Sequence, residues 1–493
     1  MGRPYDAQLR QKSDRLAAAL AHFPHLELPA PAPILGSEWT EGYRHRLKLP
    51  IGHRNGRAIA GLYDPGTHAI LDTPDCGVLA PRLREALPPL LAWLGGRTAI
   101  HSIDLRASAA TRDLQLVLAV HGDLDGGARA ARGLMAAIPG LVSVAVSRAD
   151  PEGKRVMGSA PRLLAGVAQI AESIGETSYR LFPGAFFQVD PRQAARLHAL
   201  VRRAAEGSRS VLDLYAGVGA YALALAPGRD RVVAVEEVPS AVDAARAVAP
   251  PNVEVVQSRV EAYVPEGRFD LVVLNPARRG ADPVSLARAA GLAQRMVYVS
   301  CGPETLARDL DVLAAHGQRV KRIQPIDLFP QTPEVETVVE LERGEPLVSW
   351  PAPGGRATGA WLGRPSGALG RTSEVIALVV GDTGPRGTLP GARFERMATV
   401  ATHSLVRIAV QGSAVRALSA LASRGHPVAG RDFATRRFFS EKAGLNREFI
   451  HVSAAGPVRA PLHGDLALAL EALQDRPVVS SPRSRSTPRR SRR

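Results

Sequence analysis

The sequence predicts an α/β protein whose middle part is a Rossmann-like, doubly wound sheet. A β-rich domain precedes it and an α+β domain follows it. Three observations carry the prediction. Helical and strand patterns alternate from about residue 190 to 315, which marks a parallel sheet. SVLDLYAGVGAYALALA reads as strand, Gly-rich turn and helix. Residues 40–120 carry strand-like runs such as RHRLKLPIG and DLQLVLAVHG, broken by Gly, Asp and Pro.

In chain order, residues 7–22 have helical periodicity within an N-terminal helical segment, 1–30. Residues 31–180 form the β-rich domain, which includes a helical pattern at 126–138 and a strand in LVSVAVSR. Residues 181–345 form the parallel α/β domain. Gly, Pro, Arg and Trp dominate 346–372, a linker, and a second α+β pattern fills 373–475. The tail, 476–493, is low in complexity and expected to be disordered.

Composition excludes several classes. The 493 residues contain two cysteines, Cys76 and Cys301, too few for a disulfide framework or a four-cysteine iron–sulfur or zinc site. A reduced, cytoplasmic setting follows. The N-terminus MGRPYDAQLRQK is polar and no run of eighteen apolar residues occurs, so neither a leader nor a membrane span is expected. Net charge is +15, and the tail holds seven Arg and no acid, so +8 remains without it. That favours a polyanion, most simply RNA or DNA, although a G/C-rich coding sequence would also enrich Arg.

The Gly-rich segment defines a candidate cofactor site. Val211–Leu214 form the strand, with Asp213 near its end. In Asp213-x-Tyr215-Ala-Gly217-x-Gly219 the glycines allow a tight turn and close approach to a ligand. The next strand, RVVAVEE, ends at Glu236, placed for ribose hydroxyls. A third strand ends at Asn275-Pro276. Position 222 is Ala where a dinucleotide fingerprint carries its third Gly, so S-adenosylmethionine fits better than a dinucleotide. An ordinary Gly turn in a doubly wound sheet is the plain alternative.

Cys301 ends a strand-like run in RMVYVSCGPETLARDL, just before a helical pattern. That is the setting of a nucleophile, and a helix N-terminus is expected to lower a thiol's pKa below ~8.5.

Together these motifs resemble the RNA uracil-5-methyltransferases, which make 5-methyluridine in ribosomal and transfer RNA. FPGAFFQVDPRQA, DLYAGVGAYALALA, VLNPARRG, SCGPETLARDL and DLFPQTPEVETVVEL occur in the family's order, and the resemblance covers about residues 40–343. It implies a class I methyltransferase domain, S-adenosylmethionine as cofactor, Gln188 in contact with it, Cys301 as nucleophile and Glu336 as general base. YRHRLKLPIG…DTPDC resembles the family's RNA-facing central domain. Two departures stand out: Asn275-Pro-Ala-Arg replaces the common Asp-Pro-Pro-Arg, and Ala216 replaces a Cys. Some ribosomal-RNA members carry that Asn, so activity is not excluded. Ribosomal RNA, rather than transfer RNA, is the expected substrate, and the expected form is a monomer. A non-catalytic RNA-binding protein that kept this scaffold is the alternative.

Residues 373–475 resemble the C-terminal half of a large-subunit-type pseudouridine synthase. No Asp lies between Asp327 and Asp382, and Val375 and Leu418 replace that family's Tyr and Arg. The resemblance therefore implies an inactive domain retained for RNA binding.

Overall fold

The computed structural model describes residues 3–343 apart from 24, 25, 27, 65 and 151–157. Beyond 343 it describes 348–351, 360–363, 372–400, 403–411, 414–426, 428–429, 450–455, 458–459 and 470. The expected tail, most of the linker and much of the C-terminal domain lie outside the described residues. The chain divides into two compact units, Met1–Leu310 with Arg319–Arg343, and Asp311–Gln318 with Gly344–Arg493.

The first unit opens with helix α1 (Tyr5–Ala21). A seven-stranded sheet follows, from β1 (Arg46–Arg54), β2 (Arg57–Tyr63), β3 (Ile70–Asp72), β4 (Ile100–Ala107), β5 (Leu114–Val120), β6 (Leu141–Arg148) and β7 (Arg162–Gly166), in the order β3-β2-β1-β4-β5-β6-β7. β5 is buried along its whole length, as its apolar run, interrupted only by Gln115, requires of a central strand. Helices α2 (Pro81–Leu94) and α3 (Gly127–Ala137) pack their leucines against this sheet.

A hairpin, β8 (Ile170–Ile174) and β9 (Thr177–Leu181), leads to α4 (Pro191–Ala204). Asp190 caps α4 by accepting from the N–H groups of Arg192 and Gln193, Pro191 supplies the first turn, and Arg202 and Arg203 sit in the last.

The second sheet contains β10 (Ser210–Leu214), β11 (Arg231–Glu236), β12 (Val253–Gln257), β13 (Phe269–Leu274), β14 (Ala293–Ser300), β15 (Gln318–Ile326) and β16 (Glu336–Arg343), with α5 (Ala220–Leu225), α6 (Pro239–Arg246), α7 (Pro283–Leu292) and α8 (Pro303–Ala315) between strands. Its order is β12-β11-β10-β13-β14-β16-β15, with β16 antiparallel to β14. Within this sheet the strands therefore run third, second, first, fourth, fifth, seventh, sixth, as expected of a class I methyltransferase.

The packing moves two expected boundaries. Ile170, Ile174, Tyr179 and Leu181 of the hairpin join the core of the second sheet rather than the first. The N-terminal segment also belongs with the second sheet. Ala32 donates to the Ile323 carbonyl, Leu35 pairs with Ile326, and α1 packs its side chains on the segment between β15 and β16.

In the second unit, an eight-stranded sheet includes Thr372–Val380, Ala392–Val400 and His403–Val410, with a helix at Ala414–Ser423. Val375 and Leu418 both lie in its apolar core. No helix among the described residues is long and apolar enough to cross a membrane.

Candidate active site

The carboxyl ends of four parallel strands meet along one edge of the second sheet. Leu214 of β10 pairs with Val235 of β11 and with Leu274 of β13, and Leu274 pairs with Tyr298 of β14. Tyr215, Glu236, Asn275 and Cys301 therefore emerge side by side, at the edge where open α/β sheets bind ligands.

At the Gly-rich turn, Gly217 has φ +57° and Gly219 has φ +82°. A Cβ on Gly217 would meet nothing, so that side of the turn is open. One on Gly219 would press on Leu223 at 3.1 Å. Tyr215 is also left-handed, at φ +63°, a conformation that costs a non-Gly residue energy and concentrates at functional sites. Glu236 accepts from Gly217 N–H at 2.8 Å and Val238 N–H at 2.9 Å. Asp213 sits behind the turn, fully buried. Its Oδ2 accepts from Ala222 N–H at 2.9 Å, and Oδ1 has no partner. Burial, with the nearby charge of Glu236, pushes its carboxyl up to about 7. A partly exposed acid beside bare backbone fits a nucleoside, with the acid for ribose hydroxyls and the turn for close approach.

Gln188 lies between β9 and α4, partly exposed. Its loop is held by side chains of the first sheet. Arg46 donates to the carbonyls of Ala185 at 2.5 Å and Gly184 at 2.9 Å, and Arg106 also donates to Ala185. Asp104 orients Arg46 through two bonds, from Nε at 2.8 Å and Nη2 at 2.5 Å. Sequence reasoning missed this trio. The signal was available: charged residues inside strands whose neighbours are apolar.

Cys301 and Glu336 are brought together through strand register. Ser300 of β14 pairs with Thr337 of β16, so Cys301 and Glu336 follow at the same end of that antiparallel pair. The charge of Glu336 acts on the Cys301 thiol, which places the two side chains near each other. Glu336 is buried and Cys301 partly exposed. Burial pushes the Glu336 carboxyl up to about 8, with Glu334 adding to the shift and Arg278 opposing it. Arg278 pairs with Glu334 at 3.0 Å.

One expectation is corrected. The Cys301 thiol is raised, to about 11, rather than lowered by the helix that follows it. Burial and the charges of Glu336 and Glu334 outweigh that of Arg278. With both groups protonated near neutrality, the pair is a thiol facing a carboxylic acid. Arg278 is the cation whose charge favours loss of the proton from both groups.

Known proteins match this arrangement. The family model described as tRNA (uracil-5-)-methyltransferase matches residues 259–344, which contain Asn275, Cys301 and Glu336. A methyltransferase small domain model matches 183–299, which contain Gln188 and the Gly-rich turn. An RNA methyltransferase of Thermosynechococcus vestitus is 33% identical over 360 residues, covering 68% of this chain and 80% of its own. One from Gloeobacter violaceus is 35% identical over 359 residues, covering 69% and 79%. The crystal structure of Pyrococcus abyssi tRNA (uracil-54, C5)-methyltransferase with S-adenosyl-L-homocysteine aligns with TM-score 0.56 and 26% identity, covering 69% of this chain and 83% of that one. With the motifs, the strand order and these relatives in agreement, the chain belongs to the RNA uracil-5-methyltransferase family.

Proposed function

We propose that this protein methylates carbon 5 of a uridine in RNA, with Cys301 as covalent nucleophile and Glu336 as general base. The observation that supports the reading is the β14–β16 register, which pairs Ser300 with Thr337 and so brings the adjoining Cys301 and Glu336 to one strand end beside the Gly-rich turn. S-adenosylmethionine would supply an electrophilic methyl group, and Gln188, Tyr215, Gly217, Gly219, Glu236 and Asn275 would hold it, with Asp213 bracing the turn.

The chemistry needs both residues. Carbon 5 of uracil is a weak nucleophile. The partly exposed Cys301 thiol gives up its proton to water and the thiolate adds to carbon 6, which makes carbon 5 an enolate carbon able to take the methyl group. The hydrogen left on carbon 5 must then depart as a proton. The Glu336 carboxylate accepts it, and the returning electron pair expels Cys301. The target base must leave its stack to reach the pair, which costs a few kcal/mol. A chain of net charge +15 offsets that by binding the phosphate backbone.

The RNA class has two supports that differ. Asn275 favours ribosomal RNA, whereas the Pyrococcus neighbour is a transfer-RNA enzyme. For the C-terminal unit we assign no chemistry. Apolar Val375 and Leu418 fill its core where a pseudouridine synthase would need Tyr and Arg.

The test uses labelled S-adenosylmethionine with ribosomal and transfer RNA fractions lacking 5-methyluridine, and the same RNA carrying 5-fluorouridine. Wild-type protein should label one fraction and form a covalent adduct with the fluorinated RNA. Cys301→Ala should do neither while still binding RNA. Turnover retained by the alanine variant would overturn the cysteine mechanism, and label at another base would overturn the assigned reaction.

A further inference from the structure

We propose that helix α1 positions the catalytic pair, holding both the segment that delivers Glu336 and the turn that follows Cys301. The inference rests on the covalent reading above.

The helix has two functionally different halves. Leu16, Ala19 and Leu20 are buried in its second half and attach it to the body by apolar packing. Tyr5, Gln8, Lys12 and Arg15 recur at spacings of three and four along the first half, so they form one stripe. All four bond to one or both of the active-site segments. Lys12 Nζ reaches Asp327 Oδ1 at 2.6 Å and the Phe329 carbonyl at 3.0 Å, and Tyr5 donates to Asp327 Oδ2 at 2.8 Å. Gln8 and Gln331 bond reciprocally. Gln331 N–H donates to Gln8 Oε1 at 2.9 Å, and Gln8 Nε2 donates to Gln331 Oε1 at 3.0 Å. Arg15 donates to the Pro333 carbonyl at 3.2 Å. Residues 327–335 are the run between β15 and β16 that ends just before Glu336.

Arg15 also links the second segment. Its guanidinium grips Glu304 through two bonds, at 2.9 and 3.0 Å. Glu304 stands in the first turn of α8, three residues after Cys301. One short stripe therefore ties both segments to the same rigid rod.

Stability alone is a poor reason for such a stripe. The Lys12 and Asp327 side chains are 1% and 0% exposed. Taking two charges out of water costs energy that an apolar pair would not, so a buried ion pair is weak evidence for stability. What it does supply is direction. Asp327 accepts from Lys12, from Tyr5 and from Phe329 N–H, which fixes where the run to Glu336 begins. Gln331 stands at φ +67°, a strained conformation that the two Gln8 bonds hold in place. A nucleophile and base on separate segments lose rate steeply when one of them shifts by about 1 Å. Holding both segments from one helix answers that demand.

The test is the full-length Gln8→Ala/Arg15→Gln variant, which leaves the buried Lys12–Asp327 pair intact and so keeps the fold. Expected is a fall in kcat of about tenfold or more, matched by slower adduct formation with 5-fluorouridine RNA. KM for RNA and Kd for S-adenosylmethionine should stay within about threefold. Lys12→Met/Asp327→Asn should show the same split more strongly, with cofactor affinity reporting that the fold survives. Unchanged kcat in both variants overturns the inference. So does loss of cofactor affinity in step with kcat, because α1 then merely supports the domain. A wild-type protein that forms no adduct overturns the covalent reading, and this inference with it.

Discussion

The Gly-rich turn and the Cys301–Glu336 pair lie on the same sheet edge, yet they are assembled differently. The turn is built from neighbours in sequence. Asp213, Gly217, Gly219 and Ala222 fall within ten residues, and the one distant contributor, Glu236, closes the turn on the adjacent strand. The pair is built from segments far apart: Cys301, Glu336 and the stripe of α1, the last joined to Asp327 across 315 residues. Each region also encloses one carboxyl raised by burial, Asp213 to about 7 and Glu336 to about 8. Asp213 is braced by a backbone N–H, while Glu336 faces a thiol. The same physical perturbation therefore supports shape in one place and chemistry in the other.

The largest effect should come from Glu336→Gln. The amide cannot accept the carbon 5 proton, so turnover should fall by a factor of ~10² to 10⁴. Methylated RNA should accumulate as an adduct that survives denaturing electrophoresis. Turnover within threefold of wild type would remove Glu336 as the base. The substitution should also change stability. The carboxyl is raised from an ordinary 4.5 to about 8, so between those values the folded protein holds a proton that the unfolded chain has lost. Wild-type stability then falls as pH rises, by up to ~1.4 kcal/mol per pH unit from this group. The Gln variant lacks that slope, so its melting temperature should gain on wild type from pH 5 to pH 8.

Gly219→Val should break the other region and spare the first. A branched residue at φ +82° costs roughly 1–2 kcal/mol, and its Cβ would crowd Leu223 and Ala245. Cofactor affinity should drop by about tenfold or more. The rate at which a small alkylating reagent modifies Cys301, read by mass spectrometry, should stay within twofold of wild type. A parallel loss of both would show that the two regions are not separable.

What was legible in the sequence follows the same division. The Gly-rich turn could be read because its parts are adjacent and its glycines are demanded by backbone geometry. Cys301 and Glu336 could be read only as members of motifs, since neither periodicity nor composition says that two strand ends meet. The β14–β16 register that brings them to one strand end comes from a seventh strand inserted antiparallel, which local pattern does not announce. α1 was legible as a helix but not as a partner of residues 327–334. Its Lys12 looks like an ordinary surface residue until Asp327 is placed beside it. The thiol was misjudged for a related reason. Proximity to a helix start is visible in sequence, whereas burial beside two carboxylates is not.

The smallest expected effect, Asp213→Asn, tests whether the turn's carboxyl is structural. The amide oxygen can still accept from Ala222 N–H, so the start of α5 should stay in place. The amide nitrogen would take the position of Oδ1, which has no partner, and a buried donor left unpaired costs ~1–3 kcal/mol. That cost applies at every pH. Against it, the wild-type carboxyl is raised from 3.8 to about 7, so wild type loses stability as pH climbs through that window and the variant does not. The Asn variant should therefore melt below wild type at pH 5, and the gap should narrow or reverse by pH 8. Adduct formation at saturating cofactor should change by less than about threefold, because Asp213 lies behind the turn and faces neither Cys301 nor Glu336. A gap in melting temperature that stays constant with pH would mean Asp213 titrates normally, and a large loss of adduct rate would join the two regions that Gly219→Val is expected to separate.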